Sequence, residues 1–355
     1  MSVGAAVRRN TPASERHAGP AIAGRRTPAK PRLGFLGLGW IGRARMQALH
    51  ESGAAEVVAI ADPSSEALKA AAQIACGASL QDSFEALLQQ ELDGVVIATP
   101  SGTHAPQAIA ALERSLAVFC QKPLARTAAE TGEVVAAARR NDRLLGVDFS
   151  YRHVAGVPQL RELVRAGELG ELYAIDLVFH NAYGPDKAWF YDPAQSGGGC
   201  VMDLGIHLVD LACWITGCTR ALDVDARLYA NGRTLPRPIG GIEDYASAQW
   251  RFENGAGVRL ACSWNLPAGC DAMIEAAFYG TRGGAALRNV GGSFYDFAVE
   301  RFDRTRRACL ASPPDPWGGR ALVDWAGRLA RNPGFDPTAQ ELVGVASIVD
   351  GIYGR

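Results

Sequence analysis

The chain has 355 residues, 48% of them hydrophobic and 21% charged, with a formal net charge of -1 at neutral pH. This length suits two domains of ~100–200 residues better than one core. The near-zero charge supplies no basic field to gather nucleic acid or an anionic membrane surface, so a small-molecule partner is the default.

Residues 1–30 are rich in Ala, Pro, Arg and Thr without periodicity and read as a disordered extension. The pairs Arg8-Arg9 and Arg25-Arg26 do not make an export signal. No apolar segment follows the first, and the one after the second holds the glycine motif described below. From Pro31 to about Ser150, apolar runs at Leu33–Gly37, Glu56–Ala61, Val95–Thr99, Ala117–Cys120 and Leu144–Phe149 predict buried strands. They alternate with amphipathic segments at Arg43–Glu51, Ser65–Gln73, Ser83–Gln90, His104–Arg114 and Thr127–Arg140, the last opened by a Thr127/Glu130 capping box. The alternation predicts a parallel sheet with helices on both faces, a Rossmann domain over 31–150.

Beyond Tyr151 the texture changes to longer alternating strands: Tyr173–His180, Tyr245–Phe252, Val258 onward, Met273–Tyr279 and Phe294–Phe302. Asn254-Gly255 joins two of them as a hairpin. Residues 151–355 thus read as a second α/β domain with an open, mostly antiparallel sheet, closed by a helix over Thr338–Tyr353. An exposed sheet face would need covering, which predicts a homo-oligomer, dimer or tetramer. Eight cysteines without a CxxC pair or repeated spacing signal neither a metal site nor a disulfide framework and suit a reducing cytoplasm. No apolar run reads as the ~20 residues of a membrane span.

The chemistry begins at Gly37-Leu38-Gly39-Trp40-Ile41-Gly42, between a predicted strand and a predicted helix. In that context the first glycine permits a tight turn, the second lets backbone approach a pyrophosphate, and the third lets helix pack on strand. Asp62 ends the next strand, 62 - 42 = 20 residues on, at the spacing of a carboxylate that bonds ribose hydroxyls. It would repel a 2′-phosphate, favouring NAD over NADP. Arg43 and Arg45 keep NADP open, because a nearby arginine can accommodate that phosphate. Further on come Gln121-Lys122-Pro123 and a glycine-rich lead, Gly197-Gly198-Gly199, into Asp203, His207 and Asp210. On a helix these three form one polar stripe. Taken alone, the stripe fits a buried histidine paired with a carboxylate as well as a site.

With these motifs the sequence resembles the Gfo/Idh/MocA oxidoreductases from about Pro31 to the C-terminus. The resemblance rests on Gly37 to Gly42, on Ala98-Thr99-Pro100 with His104, on Lys122-Pro123, and on the lead into Asp203 and His207. It implies a Rossmann domain and an open-sheet domain with the active site between them. The reaction it implies is hydride transfer between a nicotinamide and a sugar or polyol hydroxyl. By the resemblance, Lys122, Asp203 and His207 are catalytic, and Gly37, Gly39, Trp40, Ile41, Gly42, Asp62, Thr99, Pro100, His104, Gln121 and Lys122 hold the cofactor. Alcohol oxidation needs a base for the hydroxyl proton, and His207 is the natural one. Lys122 would bond the reacting oxygen and Asp203 would orient substrate or imidazole. Arg152 and the aromatic stretch with Tyr183 and Trp189 are candidates for substrate contact, alongside Lys122, Asp203 and His207. Gln121 departs from the family's frequent glutamate and removes a charge beside Lys122. Two rival readings are an NAD-dependent glycosidase of the same fold and a non-catalytic dinucleotide or sugar sensor.

Overall fold

The computed structural model describes residues 1–2, 30–236 and 241–355. The expectation for residues 1–30 therefore lies almost entirely outside the described residues.

The first sheet contains β1 (Arg32–Leu36), β2 (Glu56–Ala61), β3 (Ser79–Gln81), β4 (Gly94–Ile97), β5 (Ala117–Cys120) and β6 (Leu145–Val147). Its neighbouring strands run parallel in the order β3-β2-β1-β4-β5-β6. The connections carry α1 (Trp40–Ser52), α2 (Ser65–Ala72), α3 (Phe84–Leu87), α4 (His104–Glu113) and α5 (Ala128–Arg140). The central strands are apolar throughout because both faces are covered: all four residues of β4 and of β5 are buried. The order reverses between β1 and β4, which leaves a crevice at their carboxyl ends. α5 starts where the sequence predicts, with Thr127 accepting the Glu130 N–H at 3.1 Å. Only half of the capping box forms, since the Glu130 carboxylate reaches back to the Arg126 N–H instead, at 3.0 Å.

The second unit runs through α6 (Val157–Arg165), β7 (Leu172–Asn181), α7 (Pro193–Ser196), a π-helical turn over Val201–Gly205 and α8 (Ile206–Thr216). It continues with β8 (Ala221–Ala230), β9 (Arg233–Thr234), β10 (Tyr245–Phe252), β11 (Gly257–Ser263), β12 (Ala272–Gly280), β13 (Gly283–Asn289), β14 (Phe297–Asp303) and β15 (Arg306–Ala311). Among the described residues these strands make a sheet ordered β15-β14-β13-β12-β7-β11-β10-β8-β9, antiparallel except where β11 joins β7. The Asn254-Gly255 hairpin forms, with Arg251 opposite Gly257 and Gly255 at φ +93°. Alternate residues of β7 (Ile175, Leu177, Phe179) and of β11 (Val258, Leu260, Cys262) pack with Leu208 and Val209 of α8. Among the described residues no element covers the opposite face of the sheet along β10, where Ser247, Gln249 and Arg251 are exposed.

Two sequence expectations need correcting. The chain does not stay in the second unit after residue 150: α9 (Arg320–Arg331) buries Leu322, Trp325 and Leu329 in the core of the first sheet with Leu33, Phe35 and Leu49. α10 (Glu341–Tyr353) then packs against both α5 and α8. One stretch, Pro193–Thr216, is also long and apolar enough to cross a membrane, contrary to the reading of the sequence. Most of it is buried inside the fold, as the core helix of the second unit.

Candidate active site

The glycine loop is shaped by steric necessity. Gly37 sits at φ +88°, and a Cβ there would lie 2.5 Å from the Ala98 backbone. A Cβ on Gly42 would collide with the Gly37 carbonyl, whereas one on Gly39 would meet nothing within 4 Å. The open space is therefore over Gly39, at the N-terminus of α1, which carries no side-chain cap and no acidic residue in its first turn. Free N–H groups beside a position without a side chain suit a pyrophosphate. Trp40 stands 65% exposed beside them. Asp62 braces the loop, accepting the Leu38 N–H and the Ser64 N–H, each at 2.8 Å. Neither arginine considered for a 2′-phosphate is free. Arg43 donates to the Leu38 carbonyl at 2.7 Å, and Arg45 turns inward to Asp148 at 2.6 Å.

On the far side of the switch point, Thr99 and Lys122 follow β4 and β5. His104 braces the two turns from behind: its ring nitrogens lie 2.7 Å from the Pro123 carbonyl and 2.8 Å from the Thr99 carbonyl. Burial, more than any neighbouring charge, lowers its pKa. At 1% exposure His104 is a strut under the Thr99-Pro100 turn, not part of the open cofactor surface, which amends its expected role. Gln121 is likewise buried, and its amide donates to Asp148 at 2.5 Å. Asp148 is thus a buried carboxylate held between Gln121 and Arg45, although Gln121 itself is uncharged.

Lys122 crosses to the second unit. Its ammonium donates to both the Oδ1 and the backbone carbonyl of Asp203, each at 2.7 Å. Trp264, just past β11, donates its indole N–H to the other Asp203 oxygen at 3.1 Å. Asp203 lies in the π-helical turn ahead of α8, so the helical spacing that predicts a single polar stripe is locally broken. Asp203 faces Lys122, whereas His207 packs edge-on against Tyr151 (centroids 5.1 Å apart) and Phe149 (6.5 Å). Its Nδ1 is buried with no partner among the described residues. Burial first, then the charges of Lys122 and Arg45, hold its pKa well below 6.5. The imidazole is consequently neutral at neutral pH.

Asp210 and Arg152 do not join this group. Arg152 donates to Asp210 through Nε (2.8 Å) and Nη2 (2.5 Å), and its guanidinium lies over the rings of Phe149 and Trp214. The pair secures α8 from behind, so the expectation of Arg152 in substrate contact gives way to a structural role. Trp189 stacks on Phe190 (3.8 Å), which meets Trp264 edge-on (6.4 Å), joining the aromatic stretch to the Asp203 partner. Tyr183 lies farther out, 56% exposed, donating to Asp271 at 2.7 Å. Sequence reasoning misses Trp264, Tyr151, Asp148 and Glu243. Tyr151 is buried, and burial with the charge of Asp203 pushes its pKa up, so its hydroxyl stays protonated near neutral pH.

The fold agrees with the comparisons. Residues 32–149 match the model of the oxidoreductase family with an NAD-binding Rossmann fold, and residues 157–286 match the GFO/IDH/MocA C-terminal domain. The rhizopine catabolism protein MocA of Rhizobium meliloti is 31% identical over 72% of this chain and 78% of its own. The chain belongs to the Gfo/Idh/MocA oxidoreductase family. Another relative in that family, D-glucoside 3-dehydrogenase of Escherichia coli, is 30% identical over 65% of this chain and 69% of its own. Levoglucosan dehydrogenase in complex with NADH shares the fold with a TM-score of 0.76 at 22% identity, covering 91% of this chain and 95% of that one. Family membership makes this chain an NAD(P)-dependent oxidoreductase, in keeping with the room over Gly39 and the N–H groups beside it that carry no side-chain cap.

Proposed function

We propose that this chain is an NAD-dependent dehydrogenase of a sugar, polyol or sugar derivative, with Lys122, Asp203 and His207 at the reacting carbon. The observation that carries the reading is the Lys122–Asp203 pair. It joins residues 81 apart, from two units, beside a histidine that burial keeps unprotonated. Relatives named as dehydrogenases of a glucoside and of glucose 6-phosphate support the substrate class.

The dinucleotide would lie over Gly37 on the N–H groups of Gly39, Trp40, Ile41 and Gly42, the Gly37 N–H itself being donated to the Ala61 carbonyl, with a ribose against Asp62 and its nicotinamide end toward Thr99, Pro100 and Lys122. When bound it takes up, or gives back, the hydride. Lys122 presents its remaining donor capacity to the substrate oxygen and stabilises negative charge there. Asp203 holds Lys122 at that position. Neutral His207 takes the hydroxyl proton, and the nearby cations favour its return to solvent. Trp189 offers an apolar face to a sugar ring and Tyr183 a polar group at the rim. NAD is the preferred dinucleotide, because Asp62 repels a 2′-phosphate while Arg43 and Arg45 are engaged elsewhere.

The reading extends to a homo-oligomer that covers the outer face of the large sheet, where Met273 and Tyr173 are exposed. It also places the enzyme in the cytoplasm, away from nucleic acid and membrane, in keeping with eight free cysteines. The test is NADH formation across a panel of polyols, sugars, sugar acids and nucleotide sugars, with NADP in parallel. Net NADH from one substrate class is the expected result. Glycoside cleavage without net NADH would move the assignment to the glycosidase reading. Dinucleotide binding without turnover anywhere in the panel would move it to a sensor.

A further inference from the structure

Glu243 is 0% exposed, and its carboxylate meets three donors, none of them charged. Oε2 accepts the Gly199 N–H at 2.9 Å. Oε1 accepts the Val201 N–H at 2.9 Å and the Tyr353 hydroxyl at 2.8 Å. The Glu243 backbone carbonyl also accepts the Cys200 N–H at 3.1 Å, so four groups of one residue's surroundings grip three consecutive residues and the chain's last helix. The grip leaves no room for side chains: a Cβ on Gly198 would strike the Tyr353 hydroxyl, and one on Gly199 the Glu243 carbonyl. That accounts for two glycines of the lead without invoking a ligand.

What these contacts hold is the start of the π-helical turn that carries Asp203. The neighbouring residue holds Asp203 by another route: the Asp244 carbonyl accepts the Trp264 N–H at 2.7 Å, and the Trp264 indole donates to Asp203. Two adjacent residues therefore fix Asp203 from its own backbone and from its side-chain partner. A buried carboxylate with no cation is a costly way to secure a core, since apolar packing of the same volume is often neutral or better for stability. It suits a place where N–H groups at a helix start must be held in one orientation, because a carboxylate accepts on both oxygens and complements the dipole there.

We propose that Glu243 is a positioning residue for the reaction, clamping Gly199 and Val201 so that Asp203 holds Lys122 in place. The inference rests on the assignment of Lys122 and Asp203 in the proposed function. Glu243→Gln turns an amide N–H₂ toward one of the N–H donors and breaks the clamp with little change in volume. Tyr353→Phe removes one donor and one acceptor while keeping the ring.

The test has two arms. In the first, the acetylation rate of Lys122 by acetic anhydride is measured by mass spectrometry against exposed Lys69 and Lys187. It rises in Glu243→Gln, and less in Tyr353→Phe, because Lys122 loses a fixed carboxylate. An unchanged Lys122 rate in folded Glu243→Gln overturns the clamp, and if that variant does not fold, an unchanged rate in Tyr353→Phe does so. In the second arm, with the substrate found by the panel, kcat falls about 10- to 100-fold while the NAD dissociation constant holds. Placed in an Asp203→Asn background, Glu243→Gln adds no further loss, whereas a purely structural role would add its full effect and overturn the proposal. A Lys122 rate that responds in a protein with no turnover on any substrate upholds the clamp and rejects the dehydrogenase reading instead.

Discussion

The two walls of the cleft are built from different materials. On the dinucleotide side, backbone does the work: Gly37, Gly39 and Gly42 differ in what a Cβ would meet, and the donors are N–H groups at the start of α1. On the substrate side, side chains do the holding: Lys122 is held by Asp203, Asp203 by Trp264, and the backbone of the turn beneath them by Glu243. A wall of backbone fixes a shape common to many substrates' enzymes. A wall of braced side chains can change its chemistry by single substitutions, and each substitution propagates to its neighbours.

The largest expected effect falls on the side-chain wall. His207→Ala should lower turnover by ~10²- to 10⁴-fold, as loss of a general base does, with NAD affinity nearly unchanged. Lys122→Met keeps length and removes charge, and should suppress turnover to a similar degree in a protein that still binds NAD. Both are read from steady-state kinetics with NAD binding measured separately by fluorescence. Full turnover in either variant would remove that residue from the mechanism.

The backbone wall should fail differently. Gly42→Ala forces a methyl group into the Gly37 carbonyl, and overpacking of this kind costs about 1–3 kcal/mol, visible as a lower melting temperature. Gly39→Ala meets nothing within 4 Å among the described residues, so the melting temperature should hold while NAD affinity drops. If Gly39→Ala binds NAD normally, the pyrophosphate does not lie over this residue and the proposed placement is wrong.

This contrast also explains what could be read from sequence. The glycine loop, the alternation of β1 to β6 with helices and the Asn254-Gly255 hairpin are local patterns, each decided within a few residues by sterics or by period. Asp203 and His207 stand out as residue types, but their orientations depend on a π-helical turn that no spacing rule announces. Arg45 meets Asp148 across 103 positions, and Tyr353 meets Glu243 across 110. The return of α9 to the first sheet is equally invisible, because its apolar stripe would suit either unit. Arg152 shows the opposite hazard: a charged residue near the cleft in sequence is consumed by Asp210 in space.

A smaller effect sharpens the dinucleotide choice. Asp62 accepts two N–H groups of the surrounding loops and is also the carboxylate expected against a ribose. Asp62→Ser should weaken NAD and narrow its advantage over NADP, with a modest loss of stability because Leu38 and Ser64 lose a charged acceptor. Binding of NADP as tight as NAD in the unmodified protein would overturn the assignment.

The smallest effect concerns pH and separates the walls once more, since the histidines lie mostly where side chains pack. Burial lowers the pKa of His104, His153, His180 and His207, with Lys122 and Arg45 adding to the effect at His207. An unfolded histidine titrates near 6.5. Below that pH the unfolded chain binds protons that the folded chain refuses, so stability falls as pH falls through this region. Glu243 and Asp210, whose pKa values burial raises, work in the opposite sense at more acidic pH, which makes the total slope a poor guide. The difference between variant and parent isolates one group. The melting temperature of the parent protein should drop between about pH 7.5 and 5.5, and His207→Ala should drop less steeply, because it has one fewer histidine to protonate on unfolding. Parallel curves would mean that His207 is not held neutral by its surroundings. The proton acceptor would then have to be sought elsewhere, even if His207→Ala proves inactive.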